Sequence, residues 1–207
     1  MPRAAGVMRL RRVQEMEWGP LFVFDNALDS DDIKTILTLQ NAGKIDEKGS
    51  STGAGTPETP HFGIEMSPRI FNGSGLHSKL LAEIESRYCC TTMATKRIYI
   101  TESRYGENTL IHADWWDNKK KGDLGITAIM FLNPVWKREW GGELLFFDRA
   151  REALHCVAPK PGRLALFPSS SLHRGGIPSR LFYDTRRALV VMFAVKPDKE
   201  PTRKRQR

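Results

Sequence analysis

Apolar residues fall into two regimes along this chain: helical spacing before Lys96, and short strand-length blocks after it. Near the start, Leu21-Phe22-Val23-Phe24 follows Pro20 as a continuous apolar run and is closed by Asp25-Asn26, which predicts a buried strand. Asp29-Ser30-Asp31-Asp32 then offers caps and first-turn acids for a helix to about Gln40, with Ile33, Ile36, Leu37 and Leu39 as its apolar face. Leu76, Leu80, Leu81 and Ile84 share one face of a second helix over residues 75–87. Beyond Lys96 the pattern predicts strands at residues 97–104, 110–115, 125–132, 143–147, 153–158, 163–167 and 187–194. Turn-forming residues separate them, among them Gly106-Glu107-Asn108, Gly141-Gly142 and Ser169-Ser170-Ser171. Strands repeating at about ten-residue spacing after two helices predict a mainly β fold with N-terminal helices, a sandwich or jelly roll.

Residues 43–60 have no apolar period and contain Gly-Ser-Ser-Thr-Gly-Ala-Gly-Thr-Pro. Such a segment is either a solvated excursion or a lid over a site, and the sequence leaves both open. With 207 residues the chain is expected to hold one domain, residues 20–195, flanked by a basic flexible leader (1–19) and a basic flexible tail (196–207). Charge supports that division. The net charge is +8, but residues 1–12 carry four arginines and no acid, and residues 196–207 carry six basic and two acidic side chains. Residues 13–195 are therefore neutral, so the basicity belongs to the ends and nucleic acid is disfavoured as a partner. Cys89, Cys90 and Cys156 have neither an even count nor metal-type spacing, which fits reduced thiols. The arginine-rich start lacks the apolar core of a signal peptide, and the longest apolar run, Ala188 to Val195, is too short to cross a bilayer. A cytoplasmic protein without membrane contact is the expectation.

The chemistry concentrates in His112-Ala113-Asp114, His173 and the pair Arg186-Arg187. In an extended strand alternate side chains share a face, so His112 and Asp114 would point together. A later His173 would complete two imidazoles and one carboxylate around a metal with open positions, the set used by non-haem Fe(II) oxygenases. Adjacent arginines opening a strand must diverge. One is free to snorkel to water, the other to pair bidentately with a ligand carboxylate inside the fold. His61, His77 and His155 lack such partners and read as surface or structural residues. One of Trp115 and Trp116 is expected in the core and the other at a cavity mouth, while Lys119-Lys120-Lys121 reads as a solvated turn.

Several segments together resemble the Fe(II)/2-oxoglutarate-dependent dioxygenase superfamily, in particular its prolyl-4-hydroxylase-like branch, over roughly residues 20–195. They are His112-Ala113-Asp114, Leu132-Asn133-Pro134-Val135-Trp136, Gly141-Gly142-Glu143-Leu144, the stretch from Pro159 to Phe167, and His173. The resemblance implies a double-stranded β-helix (jelly roll, cupin-like) with His112, Asp114 and His173 as metal ligands. It implies Fe(II), 2-oxoglutarate and O2 as cofactor and cosubstrates. The cation that binds 2-oxoglutarate maps onto Arg186 or Arg187, and Arg186 is preferred because Ala188 and Met192 follow at the family's small and bulky spacing. Tyr105 matches a family aromatic expected to line the pocket. The chain departs from its relatives at Phe131, where a tyrosine often hydrogen-bonds the cosubstrate; Thr127 or another hydroxyl would have to help instead.

The resemblance thus implies a hydroxylase of an unactivated C–H bond that releases succinate and CO2; the compact, electrically neutral body makes a small molecule (an amino acid, peptide or natural-product intermediate) the first reading of its substrate. Hydroxylation of a prolyl or other protein residue is the second reading. A nucleic-acid demethylase ranks below it, since the Arg-x5-Arg of that branch is replaced by Met192 and Phe193. From another class, a non-oxidative cupin-like metal-binding module would keep the histidines but need no buried arginine.

Overall fold

The computed structural model describes residues 7–42, 62–107, 109–114 and 124–198. The expected lid or excursion at 43–60, Trp115, Trp116, the lysine turn and all but the start of the basic tail lie outside them. In chain order the strands are β1 (Arg9–Gln14), β2 (Leu21–Asp25), β3 (Phe62–Glu65), β4 (Cys90–Ser103), β5 (Leu124–Phe131), β6 (Leu144–Phe147), β7 (Ala153–Val157), β8 (Leu164–Pro168), β9 (His173–Gly175) and β10 (Arg186–Pro197). The α-helices are α1 (Ser30–Ala42), α2 (Pro68–Phe71) and α3 (Gly75–Tyr88).

Local chemistry sets the helix ends. Asp29 Oδ1 accepts from the N–H groups of Asp31 and Asp32 at 2.9 and 2.8 Å, and Asp32 Oδ2 accepts from Asp29 N–H at 3.1 Å. This reciprocal pair satisfies donors that the first turn of α1 would otherwise leave orphaned. Ser74 caps α3 through its hydroxyl, which accepts from His77 N–H, and Cys89 closes it in the left-handed region at φ 47°.

Seven strands form one antiparallel sheet in the order β1-β2-β8-β5-β10-β4-β3, and three form a second in the order β7-β6-β9. The large sheet is covered on both faces. One face meets the helices through Ile33, Ile36, Phe71, Leu80 and Ile84, packed on Ile98, Met130, Leu189 and Phe193. The other meets the small sheet through Leu144, Phe146 and Val157, packed on Ile129, Phe131, Ala188 and Val190. Burial on both faces explains why β8 and β10 read as unbroken apolar runs rather than alternating ones. Two antiparallel sheets closing over one core make the double-stranded β-helix expected from the sequence.

Three local expectations differ from what forms. Of the strand expected at 110–115, the described residues 110–114 form none: His112 alone bridges His173, because its partner β9 is only three residues long. Part of the segment expected to be a flexible leader pairs as β1 with β2, its Met8 and Leu10 packing on the core and its arginines lining a sheet edge. At the other end β10 continues through Lys196 and Pro197, which pair with Thr91 and Cys90. None of the described helices is long and apolar enough to cross a membrane. Cys89, Cys90 and Cys156 are free thiols.

Candidate active site

His112 and His173 are held together by their own backbones. The His112 N–H donates to His173 C=O at 3.0 Å, and the His173 N–H returns the bond to His112 C=O at 2.9 Å. Asp114 is fixed by its N–H, which donates to Ser169 C=O at 2.9 Å, just beyond β8. The three side chains converge: His112 Nε2 lies 3.5 Å from Asp114 Oδ1, and His173 Nε2 lies 3.5 Å from Asp114 Oδ2. Among the described residues they are the one cluster whose ligand atoms all fall within 4.8 Å of one another.

Both imidazoles are oriented by carbonyls. His112 Nδ1 sits 2.8 Å from Leu110 C=O and His173 Nδ1 2.9 Å from Ser171 C=O. A carbonyl only accepts, so each Nδ1 carries the proton and each Nε2 turns a lone pair toward Asp114. That is the tautomer a metal-binding histidine needs. Burial lowers the His173 pKa, against the pull of Asp114 toward the charged form, and favours a neutral ring. For His112 burial acts the same way, but Asp114 outweighs it and the pKa is raised. Burial also works against ionised Asp114, yet the two histidines and a Thr127 hydrogen bond hold its carboxyl below the usual value. Asp114 Oδ2 accepts from Thr127 Oγ1 at 2.9 Å, whereas its buried Oδ1 has no hydrogen-bond partner. A buried carboxylate facing a lone-pair nitrogen from each oxygen, with Oδ1 lacking any hydrogen bond, is costly unless a cation fills the gap.

The triad lines a pocket that is also lined by Arg186. Ala188 and Val190, two and four residues along β10, share its face and line the same pocket. Arg186 is 4% exposed. Its Nε donates to Gly142 C=O at 2.7 Å, and its Cζ lies 5.2 Å from the Phe131 ring centroid. Burial pulls its pKa down to about 10, with Glu143 opposing, and no ion pair to it forms among the described residues. Gly142 makes this placement possible. At φ 74° it takes a conformation that favours glycine, and a Cβ there would lie 2.9 Å from Trp136 and 3.0 Å from Arg186 Cδ.

Arg187 points the other way, its Nε donating to Glu102 at 2.9 Å and its Nη1 3.6 Å from Asp184. The divergence expected of adjacent arginines is thus realised. Tyr105 stands apart from the pocket at 63% exposure. Thr127 is fully buried, but its hydroxyl is committed to Asp114 and lies 2.8 Å from Ser169 Oγ, so it braces the carboxylate. His77 stacks on Phe193 with Nε2 3.2 Å from Thr95, a structural role, and His155 lies half-buried on β7. His61 lies outside the described residues. Sequence reasoning missed Tyr99, Thr101, Ser103, Glu107 and Thr109, which also line the pocket. For the first three, the signal was their alternation on β4 opposite Val190, Ala188 and Arg186, legible only once that pairing is known.

A sequence profile described as the 2OG-Fe(II) oxygenase superfamily matches residues 100–194. No curated protein matches the chain. Among solved structures, a prolyl-4-hydroxylase from Pseudomonas putida aligns with TM-score 0.61 at 16% identity, covering 84% of this chain and 91% of its own. A prolyl hydroxylase from Trichoplax adhaerens, in complex with a hypoxia inducible factor oxygen degradation domain peptide fragment, gives 0.62 at 17%, with 84% and 82% covered. EvdO2 from Micromonospora carbonacea var. aurantiaca gives 0.58 at 14%, with 87% and 90% covered. At these identities the structures speak for the fold, and the matched segment contains the triad and Arg186. Residues 100–194 thus match the 2OG-Fe(II) oxygenase superfamily, the chain has the fold of its prolyl-4-hydroxylase-like members, and the match with the triad inside it supports a 2-oxoglutarate-dependent dioxygenase using Fe(II), 2-oxoglutarate and O2.

Proposed function

We propose that the chain hydroxylates an unactivated C–H bond of a small molecule, with His112, Asp114 and His173 holding Fe(II) and Arg186 binding 2-oxoglutarate. The donor set fits the metal: two oriented Nε2 atoms and the partnerless Asp114 Oδ1. The observation that carries the cosubstrate assignment is the buried Arg186, without an ion pair among the described residues, in the same pocket as the triad. A dicarboxylate spanning Ala188 and Val190 would neutralise the guanidinium at one end and face the triad at the other. The chemistry supplied there is oxidation of a C–H bond, coupled to conversion of 2-oxoglutarate and O2 into succinate and CO2. Thr127 and Ser169 keep Asp114 ionised and oriented, while Leu144 and Ile129 keep the pocket wall apolar.

A compact pocket in an electrically neutral body supports a small substrate. A protein residue is the second reading, favoured by the exposed aromatics Tyr105 and Tyr183 and by the peptide fragment in the Trichoplax complex. The oxygenase unit proposed is residues 20–195, with β1 packed onto it. A non-oxidative metal-binding module would leave Arg186 buried without purpose, and the oxygenase match over residues 100–194 speaks against it. The deciding experiment is a panel of amino acids, peptides and prolyl peptides scored by succinate release and product mass. A hydroxylated small molecule supports the reading. A product found only on peptidyl proline would replace it with the second.

A further inference from the structure

Resting on the small-molecule reading just proposed, one further residue of the pocket bears on what that molecule carries. Glu107 lines the same pocket as the triad and Arg186 and is half-buried. Its own turn holds it there. The Glu107 N–H donates to Arg104 C=O at 3.1 Å, and Glu107 Oε2 accepts from Arg104 N–H at 2.7 Å. Just beyond, Thr109 ties the segment to β9, its Oγ1 donating to Gly175 C=O at 3.0 Å. The carboxylate is thus anchored through one oxygen, while Oε1 has no hydrogen bond or ion pair among the described residues. Arg104, the cation next to it in the chain, turns its Nε to Thr185 Oγ1 at 3.2 Å instead.

Charge decides what this carboxylate can face. With the pocket loaded as proposed, Fe(II) and Arg186 balance Asp114 and the two carboxylates of 2-oxoglutarate. Glu107 is then the one charged side chain of the lining left without a counter-charge among the described residues. Its like charge repels a dicarboxylate, so Glu107 stands outside the cosubstrate's own contacts. A neutral substrate lying over Oε1 would strip water from an anion and return nothing, whereas an ammonium would return a charge-assisted hydrogen bond. We propose that Glu107 binds a protonated amine of the substrate, which makes the substrate class a small molecule with a free amino group. Discrimination against neutral analogues comes from the carboxylate they would leave unpaired. Glu107 is here a substrate-binding residue and takes no part in the oxidation.

The test scores succinate release and product mass for the amides of proline, leucine, phenylalanine and the other uncharged amino acids. Each is paired with its Nα-acetyl derivative, which keeps the same C–H bonds and loses the cation. Free amines should turn over and their acetyl partners should not. Glu107→Gln retains an acceptor for the Arg104 N–H and removes only the charge. It should raise KM for the amine on the order of tenfold and leave kcat within about twofold. The same loss should appear in the amine's dissociation constant, titrated calorimetrically into the full chain loaded with Mn(II) and 2-oxoglutarate, where nothing turns over. Melting temperature and 2-oxoglutarate affinity should stay as in the wild type, whereas a merely structural Glu107 would move both. Acetyl derivatives hydroxylated as well as the amines, or a KM in Glu107→Gln within about twofold of wild type, overturn the inference and leave the small-molecule reading standing. Product on neither member of any pair overturns it too, and hydroxylation confined to peptidyl proline would fell the small-molecule reading with it.

Discussion

Arg186 and Arg187 are the same residue type one position apart, and what separates them is the neighbour each meets. Arg187 finds Glu102 and Asp184 near solvent, whereas Arg186 finds a glycine carbonyl, an aromatic ring and an enclosed pocket. Arg186→Ala should therefore weaken 2-oxoglutarate binding by about two orders of magnitude, the scale of losing one side of a buried charge pair. Arg187→Ala removes exposed ion pairs worth about 0–1 kcal/mol and should leave binding nearly unchanged. Dependence of succinate formation on 2-oxoglutarate concentration checks both, and the reverse order would exchange their roles. Gly142→Ala tests the support beneath Arg186. It places a methyl 3.0 Å from Arg186 Cδ at a positive φ, and should cost about 1–3 kcal/mol of stability together with cosubstrate affinity, read by urea unfolding and titration. The triad was legible from residue types and spacing, though not for the strand-alternation reason: His112 sits in a single bridge, and the loop to Asp114 brings the two together. The place of Tyr99 in the pocket lining was not legible, because it depends on a pairing with Val190, far along the chain on β10.

Elements were predicted best where both faces are apolar or the caps are explicit. The β5, β8 and β10 blocks and the Asp29 cap of α1 express their partners in their own composition. β1 and β9 do not. The first is an arginine-rich edge whose pairing needs β2, and the second is three residues long. At the centre of the large sheet, Phe193 is fully buried between β4, β5 and the helices, so Phe193→Ala should cost about 3–5 kcal/mol in a denaturant titration. A loss under about 1 kcal/mol would mean the helical layer is not packed as described. A second joint is electrostatic. Arg163, at the start of β8, donates to Asp25 at the end of β2 at 2.8 Å. Burial opposes ionisation of Asp25, but Arg163 prevails and its pKa lies below the ordinary 3.8. Because the folded pKa is the lower one, the pair stabilises fully above the unfolded value and is lost as pH falls through the folded value. Asp25→Asn should thus be less stable than wild type at neutral pH and converge with it in acid. A difference constant across pH would contradict this.

At the scale of the whole molecule, two sheets and a helical layer enclose two apolar clusters, one on each face of the large sheet, and residues of both sheets line the pocket. The strong overall basicity, which alone would suggest nucleic acid, lies at the two ends of the chain, and even there β1 uses part of it to line a sheet edge. Because ligands that bind only the folded state stabilise it by mass action, Mn(II) with 2-oxoglutarate at a hundredfold excess over the dissociation constant should add about 2.7 kcal/mol. A chelator should remove that increment, as read by melting temperature. The central claim is that one pocket holds Fe(II) at the triad and 2-oxoglutarate between the triad and Arg186. Anaerobic titration of Fe(II) and 2-oxoglutarate, followed by the visible charge-transfer absorption that a 2-oxo acid gives on chelating Fe(II), tests it directly. The wild type should show the band at one iron per chain, and Asp114→Ala and His173→Ala should each lose it. No band in the folded wild type, or an unchanged band in either variant, would contradict it.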